Sequence, residues 1–243
     1  FRDFERHPEI EEQQIVRPLL LRGGGRTGST KLHLLLAAGG DFQFMTFWQA
    51  HALSLRSGDR NEDPAERIAD AEEFIRWFDR HAPRARMIHA YDTFEPEEET
   101  HISEKSLFGL MFCAFAFLPS FAQWYVTQDF RPQLEFLKRA LKYLQWQFHD
   151  GDPRPWVLKN PLYQGWEPML RAVFPDAVFV ATHRDPVASL TSSCSLQSAY
   201  FEAYSDVPMN AVIGQLQLGG PIIEDQRLFD ARRNHPQIGV LDV

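Results

Sequence analysis

Apolar positions along this chain switch between short unbroken runs and helical spacings, and the switching marks out its elements. Residues 16–21 carry the run Leu19-Leu20-Leu21, dense enough for a strand buried on both faces. A glycine-rich turn follows, and then Leu32, Leu35 and Leu36 recur at helical spacing, which predicts a helix over Ser29–Ala38 ended by Gly39-Gly40-Asp41. Trp156-Val157-Leu158 reads as a short buried strand followed by a helix over Trp166–Phe174. Val178–Thr182 is the clearest strand of all, followed by a helix over Pro186–Ser198, and Ile238–Val243 closes the chain as a further strand. Residues 1–15 are charged and weakly patterned, in keeping with a lead-in helix.

The middle of the chain has a different rhythm. Asp63-Pro64-Ala65-Glu66 is a helix start, with a capping aspartate, a proline in the first turn and a glutamate behind it. Ile68, Ala71, Phe74, Ile75 and Phe78 then repeat at helical spacing, as do Phe136, Leu137, Leu141, Leu144 and Phe148. Leu107–Leu118 reads as a buried helix, Phe94–Glu99 as a loop, and Glu97-Glu98-Glu99 as a solvated face. Strand–helix alternation at both ends implies right-handed crossovers and a parallel sheet. The expected fold class is therefore α/β: a parallel sheet flanked by helices, a helical insertion or cap over about residues 60–150, and a single domain. No internal repeat or low-complexity tract interrupts it.

Composition narrows the partners. The 243 residues are 44% hydrophobic and include 20 Phe and 6 Trp, enough for one sizeable core. A net charge of −8 argues against a nucleic-acid partner. Cys113 and Cys194 are too few for a disulfide framework and read as small core residues in a reducing, cytoplasmic compartment. No segment resembles a signal peptide, and the longest apolar stretch, roughly 12 residues from Leu107, is too short to span a bilayer. The first residue is Phe, and the chain stops in a strand-like segment, so both ends are expected to be cut and more to follow.

The chemistry gathers where a parallel sheet binds ligands, at the carboxyl ends of its strands. Gly23-Gly24-Gly25-Arg26-Thr27-Gly28-Ser29-Thr30-Lys31 joins a strand to a helix, so loop amides and the positive helix end face one anion. Its spacing fits GxxxxGK[ST] except that Ser29 stands where the lysine belongs, which argues against an ordinary ATPase or GTPase. Lys159-Asn160-Pro161 follows the second strand and His183-Arg184-Asp185-Pro186 the third, with Ser192 two turns into the next helix. Taken singly, Lys159 reads also as a strand-end lysine in solvent, Arg184 as a partner of Asp185, and Ser192 as a buried small residue. Three clusters at one sheet edge say more than any one of them.

Arg26-Thr27-Gly28-Ser29-Thr30 resembles the [KR]-[ST]-G-[ST]-[ST] loop of sulfotransferases that use 3′-phosphoadenosine 5′-phosphosulfate (PAPS). Arg184-Asp185-Pro186 with Ser192 resembles the second signature of that family. Val157-Leu158-Lys159-Asn160-Pro161 is similar to a strand end in a bacterial branch of it, and His89, Pro96, Glu97 and Glu98 lie in a segment that also reads like that branch. The likeness covers residue 16 to the end. It implies that Gly25, Arg26, Thr27, Gly28, Ser29 and Thr30 hold the 5′-phosphosulfate, and that Arg184 and Ser192 hold the 3′-phosphate. Arg26 and Lys159 would then neutralise charge developing in a loose, in-line transfer. No metal is required, and the partner is a small-molecule acceptor bearing a hydroxyl or amine; a homodimer is a possible assembly. Seven aromatic residues from Phe108 to Tyr125 read as acceptor pocket or as ordinary core.

Two positions depart from the family pattern. Tyr163 stands where the bacterial branch has a histidine, and Trp48 is followed by Gln49 where some members have a glutamate base. The base is therefore open among His51, His89, His183 and the Glu97-Glu98-Glu99 run, with His89 preferred. These departures keep alive a nucleotide-binding homologue that has lost its chemistry, and the loop itself leaves open a phosphotransferase using Lys31 and a magnesium ion.

Overall fold

Two short helices, α1 (Arg2–Arg6) and α2 (Glu9–Glu12), precede β1 (Leu19–Arg22), the glycine turn and α3 (Ser29–Ala38). The cap then runs through α4 (Phe47–His51), α5 (Ala65–His81), α6 (Pro83–Ile88), α7 (Thr100–Lys105), α8 (Phe112–Phe115), α9 (Pro119–Tyr125) and α10 (Arg131–Phe148). The chain returns to the sheet as β2 (Val157–Lys159), α11 (Glu167–Val173), β3 (Val178–Ala181), α12 (Pro186–Glu202), α13 (Asn210–Asn234) and β4 (Val240–Asp242). The computed structural model describes residues 2–243, the side chain of Pro221 excepted. No helix among the described residues is long and apolar enough to cross a membrane.

The four strands form one parallel sheet in the order β2-β1-β3-β4. Leu21 pairs with Lys159 on one side and Val180 on the other, so three strand ends finish level. Every residue of β1 and β2 is buried, which is why their apolar runs are unbroken. On one face Leu19, Leu21, Val157 and Val180 meet Leu32 and Leu36 of α3. On the other, Leu20, Leu158 and Phe179 join Leu134, Leu137, Leu141 and Leu144 of α10 in the main core. A second core, with Phe47, Trp48, Phe78, Tyr91 and Tyr200, binds the cap to α12.

From β1 the chain crosses to one neighbour, β2, and from β3 to the opposite side, β4. The direction of winding therefore reverses between β1 and β3, and open parallel sheets bind ligands in the crevice outside the strand ends at such a point.

Two expectations need correction here. Leu107–Leu118 is not a buried helix: only Phe112–Phe115 is helical, and Leu107 is 73% exposed. Leu107 sits at φ +62°, and Leu118 (φ −122°, ψ 65°) is kept out of the helical region by the proline that follows it, so neither can continue a helix. Cys113 and Cys194 are half-buried rather than core residues, because α8 and this part of α12 lie near the surface. The apolar pattern assigns no element to α13, which spans 25 residues across Gly214, Gly219, Gly220 and Pro221. Burial of Ile213, Leu228 and Ala231 anchors it. Its backbone passes so close to Gly165 (φ +77°) that a Cβ there would meet the carbonyl carbon of Arg227 at 2.6 Å.

Candidate active site

Gly23 (φ +151°) turns the chain out of β1 hard against β3: a Cβ there would lie 2.6 Å from the Thr182 carbonyl oxygen. Thr27 Oγ1 donates to the Gly24 carbonyl at 3.0 Å and meets Thr182 Oγ1 at 2.5 Å, tying the loop across the crevice. Gly28 (φ +92°) is the N-cap of α3 and offers no side-chain cap. The first amides of α3 lack partners within the helix, so together with its positive end they make an anion cradle. Ser29 and Thr30 lie in its first turn; Lys31 is exposed.

Lys159 reaches this cradle from β2. Its Nζ donates to Thr30 Oγ1 at 2.9 Å and forms an ion pair with Glu98, while its backbone amide donates to Glu99 Oε2 at 2.9 Å. The Glu97-Glu98-Glu99 run is therefore no solvated face; Glu97 and Glu99 are buried. Thr46 and Pro96 form an antiparallel bridge and the Glu97 amide donates to the Met45 carbonyl at 2.9 Å, which folds the segment inward over the end of β2.

Burial, reinforced by the neighbouring Glu98, pushes the Glu97 carboxyl up to about 7, and burial pushes Glu99 up to about 7 as well. Burial acts on Glu98 in the same sense, but Lys159 and then His89 hold it below the ordinary carboxylate range. Burial lowers His89, whose Nε2 lies 3.9 Å from Glu97 Oε1. Ligand atoms of His89, Glu97 and Glu98 lie within 4.8 Å of one another, a spacing that a cation could bridge. The cation this chain itself brings to them is the Lys159 ammonium.

On the other side of the loop, Arg26 (φ +69°) donates from Nε to Ser192 Oγ at 3.1 Å and from Nη2 to the Ile88 carbonyl at 3.1 Å. Asp185 caps α12 by accepting from the Ala188 amide at 2.7 Å. That cap leaves Arg184 just outside the helix, where Nη1 donates to the Arg26 carbonyl at 3.0 Å. Gly25 lies against the same helix; a Cβ on it would come 3.4 Å from Ser193 Oγ.

The fold thus gathers Gly25, Arg26, Thr27, Gly28, Ser29, Thr30, Lys159, Arg184 and Ser192 at one sheet edge, with His89 beside the acidic segment. It separates the other two histidines. His51 packs against Phe47 and Phe74 in the cap, and His183 Nε2 pairs with Asp242 Oδ1 at 2.7 Å on β4. Gln49 is part of a capping box, accepting from the Thr46 amide at 2.9 Å, a task that needs no negative charge. Tyr163 is 1% exposed, and burial beside Glu99 pushes its phenol up. One buried pair gave no signal in the sequence: Arg22, at the end of an apolar strand, meets Glu167 of α11 directly beneath the loop.

Against known families, the model of the sulfotransferase family matches residues 18–243. The chain belongs to the sulfotransferase family. Two solved family members share its fold. Sulfotransferase STF9 from Mycobacterium avium is 25% identical with a TM-score of 0.78, covering 99% of this chain and 62% of its own. Sulfotransferase STF1 from Mycobacterium tuberculosis H37Rv is 27% identical with a TM-score of 0.77, covering 100% and 66%. The chain thus spans less than two thirds of either neighbour's length. A comparison with curated protein sequences gives no significant match. As a sulfotransferase-family site, the crevice offers one anion cradle in the loop, a lysine beside it, and further cationic groups at Arg26 and Arg184.

Proposed function

We propose that this chain binds PAPS in the crevice between β1 and β3 and transfers its sulfuryl group to a hydroxyl or amine of a small acceptor. The observation that carries the reading is the placing of two separate cationic positions on one glycine loop: Lys159 on Thr30, and Arg184 across the Arg26 carbonyl beside Ser192. A nucleotide with a second phosphate needs two such positions. The loop amides, Ser29 and Thr30 take the phosphosulfate, while Arg184 and Ser192 take the 3′-phosphate by charge-assisted hydrogen bonds. In the transfer the acceptor oxygen or nitrogen bonds to sulfur as the bond from sulfur to the phosphate oxygen breaks. Lys159 and Arg26 neutralise the charge that moves to the sulfuryl oxygens and leaving phosphate.

Thermal unfolding with 3′-phosphoadenosine 5′-phosphate, the desulfated product, tests this. At about 100 times its dissociation constant the ligand is expected to add roughly 2.7 kcal/mol of stability. A shift with ATP and magnesium but none with the desulfated nucleotide would overturn the reading in favour of phosphoryl transfer.

A further inference from the structure

Sulfuryl transfer to a hydroxyl or amine releases a proton, and the groups able to take it are few. Gln49 cannot, and its amide is held in the capping box. Tyr163 is buried, and His51 and His183 have their partners elsewhere. Glu97, Glu98 and Glu99 remain once His89, turned to Glu97 and packed on Tyr91, and His101, packed between Phe47 and Tyr91, are set aside. Glu99 is fully enclosed, with one oxygen on the Lys159 amide. Glu97 Oε1 takes the Glu98 amide at 2.8 Å and faces His89. Glu98 differs from both: its side chain keeps 16% of its surface exposed and touches the Lys159 ammonium, which also touches the loop through Thr30.

We infer that Glu98 takes the proton from the acceptor, and that its ion pair with Lys159 keeps it out of use until the donor is bound. The inference rests on the sulfotransferase reading above. A carboxylate in contact with the lysine that serves the sulfuryl group is one contact layer from the reacting sulfur, which puts it within reach of the attacking hydroxyl. Paired with an ammonium, it is a weak base. The donor's oxygens draw Lys159 away, and Glu98 is left in a buried setting next to Glu97, where its affinity for a proton rises. The acceptor oxygen then bonds to sulfur, the bond from sulfur to the bridging oxygen breaks, the electron pair leaves on the 5′-phosphate, and the acceptor's proton passes to Glu98. Loss of that proton to water as products leave restores the pair with Lys159.

The same feature gives the inference a readout beyond rate. Removing the charge of Glu98 frees Lys159 for the nucleotide, so Glu98→Gln is expected to bind 3′-phosphoadenosine 5′-phosphate several-fold more tightly. Its transfer from PAPS to a panel of phenols and alcohols should fall by about 100-fold or more, the usual worth of a positioned base. Glu98→Ala should show the same loss and recover part of its rate when formate is added, which a purely structural role would not do. Transfer by Glu98→Gln within about tenfold of the unaltered protein, or no response of Glu98→Ala to formate, would overturn the assignment while leaving the sulfotransferase reading in place. If the unaltered protein neither binds the desulfated nucleotide nor transfers, that underlying reading falls, and this assignment with it.

Discussion

Arg184 carries the clearest consequence at the scale of single residues. Among the described residues its guanidinium is held only through the Arg26 carbonyl, and the side chain is exposed, so it is free to turn toward a phosphate. Arg184→Ala is expected to weaken 3′-phosphoadenosine 5′-phosphate by about tenfold, within the range of a hydrogen bond to a charged group. Adenosine 5′-phosphosulfate, which lacks the 3′-phosphate, should be scarcely affected. Titration calorimetry with both ligands checks this, and equal losses would make Arg184 a structural residue. The loop residues were legible because their spacing is local: glycines, hydroxyls and a helix start within nine positions. Glu98 was legible only as one of several candidate bases, since three successive glutamates look solvated until the bridge from Thr46 to Pro96 folds them over β2. Arg22 was hidden for the same reason; its partner Glu167 lies far away in the sequence.

At the scale of elements, the acidic segment and the end of β2 should respond to pH together. Glu99 is buried against the Lys159 amide and its carboxyl is pushed by burial to about 7. A carboxyl with a raised value in the fold holds its proton more tightly folded than unfolded. Its contribution to stability is therefore full below the ordinary value of 4.5 and is lost as pH rises towards 7. Glu99→Gln keeps an acceptor for the amide and removes the titration. It is expected to match the native chain near pH 4.5 and to exceed it by about 3 kcal/mol at pH 8, at 1.36 kcal/mol per pH unit. Glu97 and Glu104 titrate in the same window, so the difference between the two proteins isolates Glu99. Parallel unfolding curves would mean that Glu99 is ionised in the fold. Elements followed the sequence where one periodicity ran unbroken, as in α3 and α10. They departed from it in the apolar stretch from Leu107, which breaks into a short helix, and α13, continuous through Gly219-Gly220-Pro221, showed no unbroken periodicity to read.

Across the whole molecule, position in the sheet explains why three polar clusters distant in sequence share one site. Winding outward from β1 and β3 in opposite directions opens the crevice, level strand ends align the clusters, and the cap brings His89 and Glu98 over the edge. That alignment was legible from the alternation of strands and helices, whereas the way the cap closes on the sheet was not, because it depends on aromatic packing among Phe47, Phe78, Tyr91 and Tyr200. On the reading proposed above, this crevice moves a sulfuryl group. Its most direct test follows sulfur-labelled PAPS with the purified chain and a panel of small hydroxyl and amine acceptors, with and without a chelator. The label is expected to move to an acceptor at a rate the chelator leaves unchanged; label that stays on the donor across the panel, while ATP is turned over with magnesium, would contradict the account.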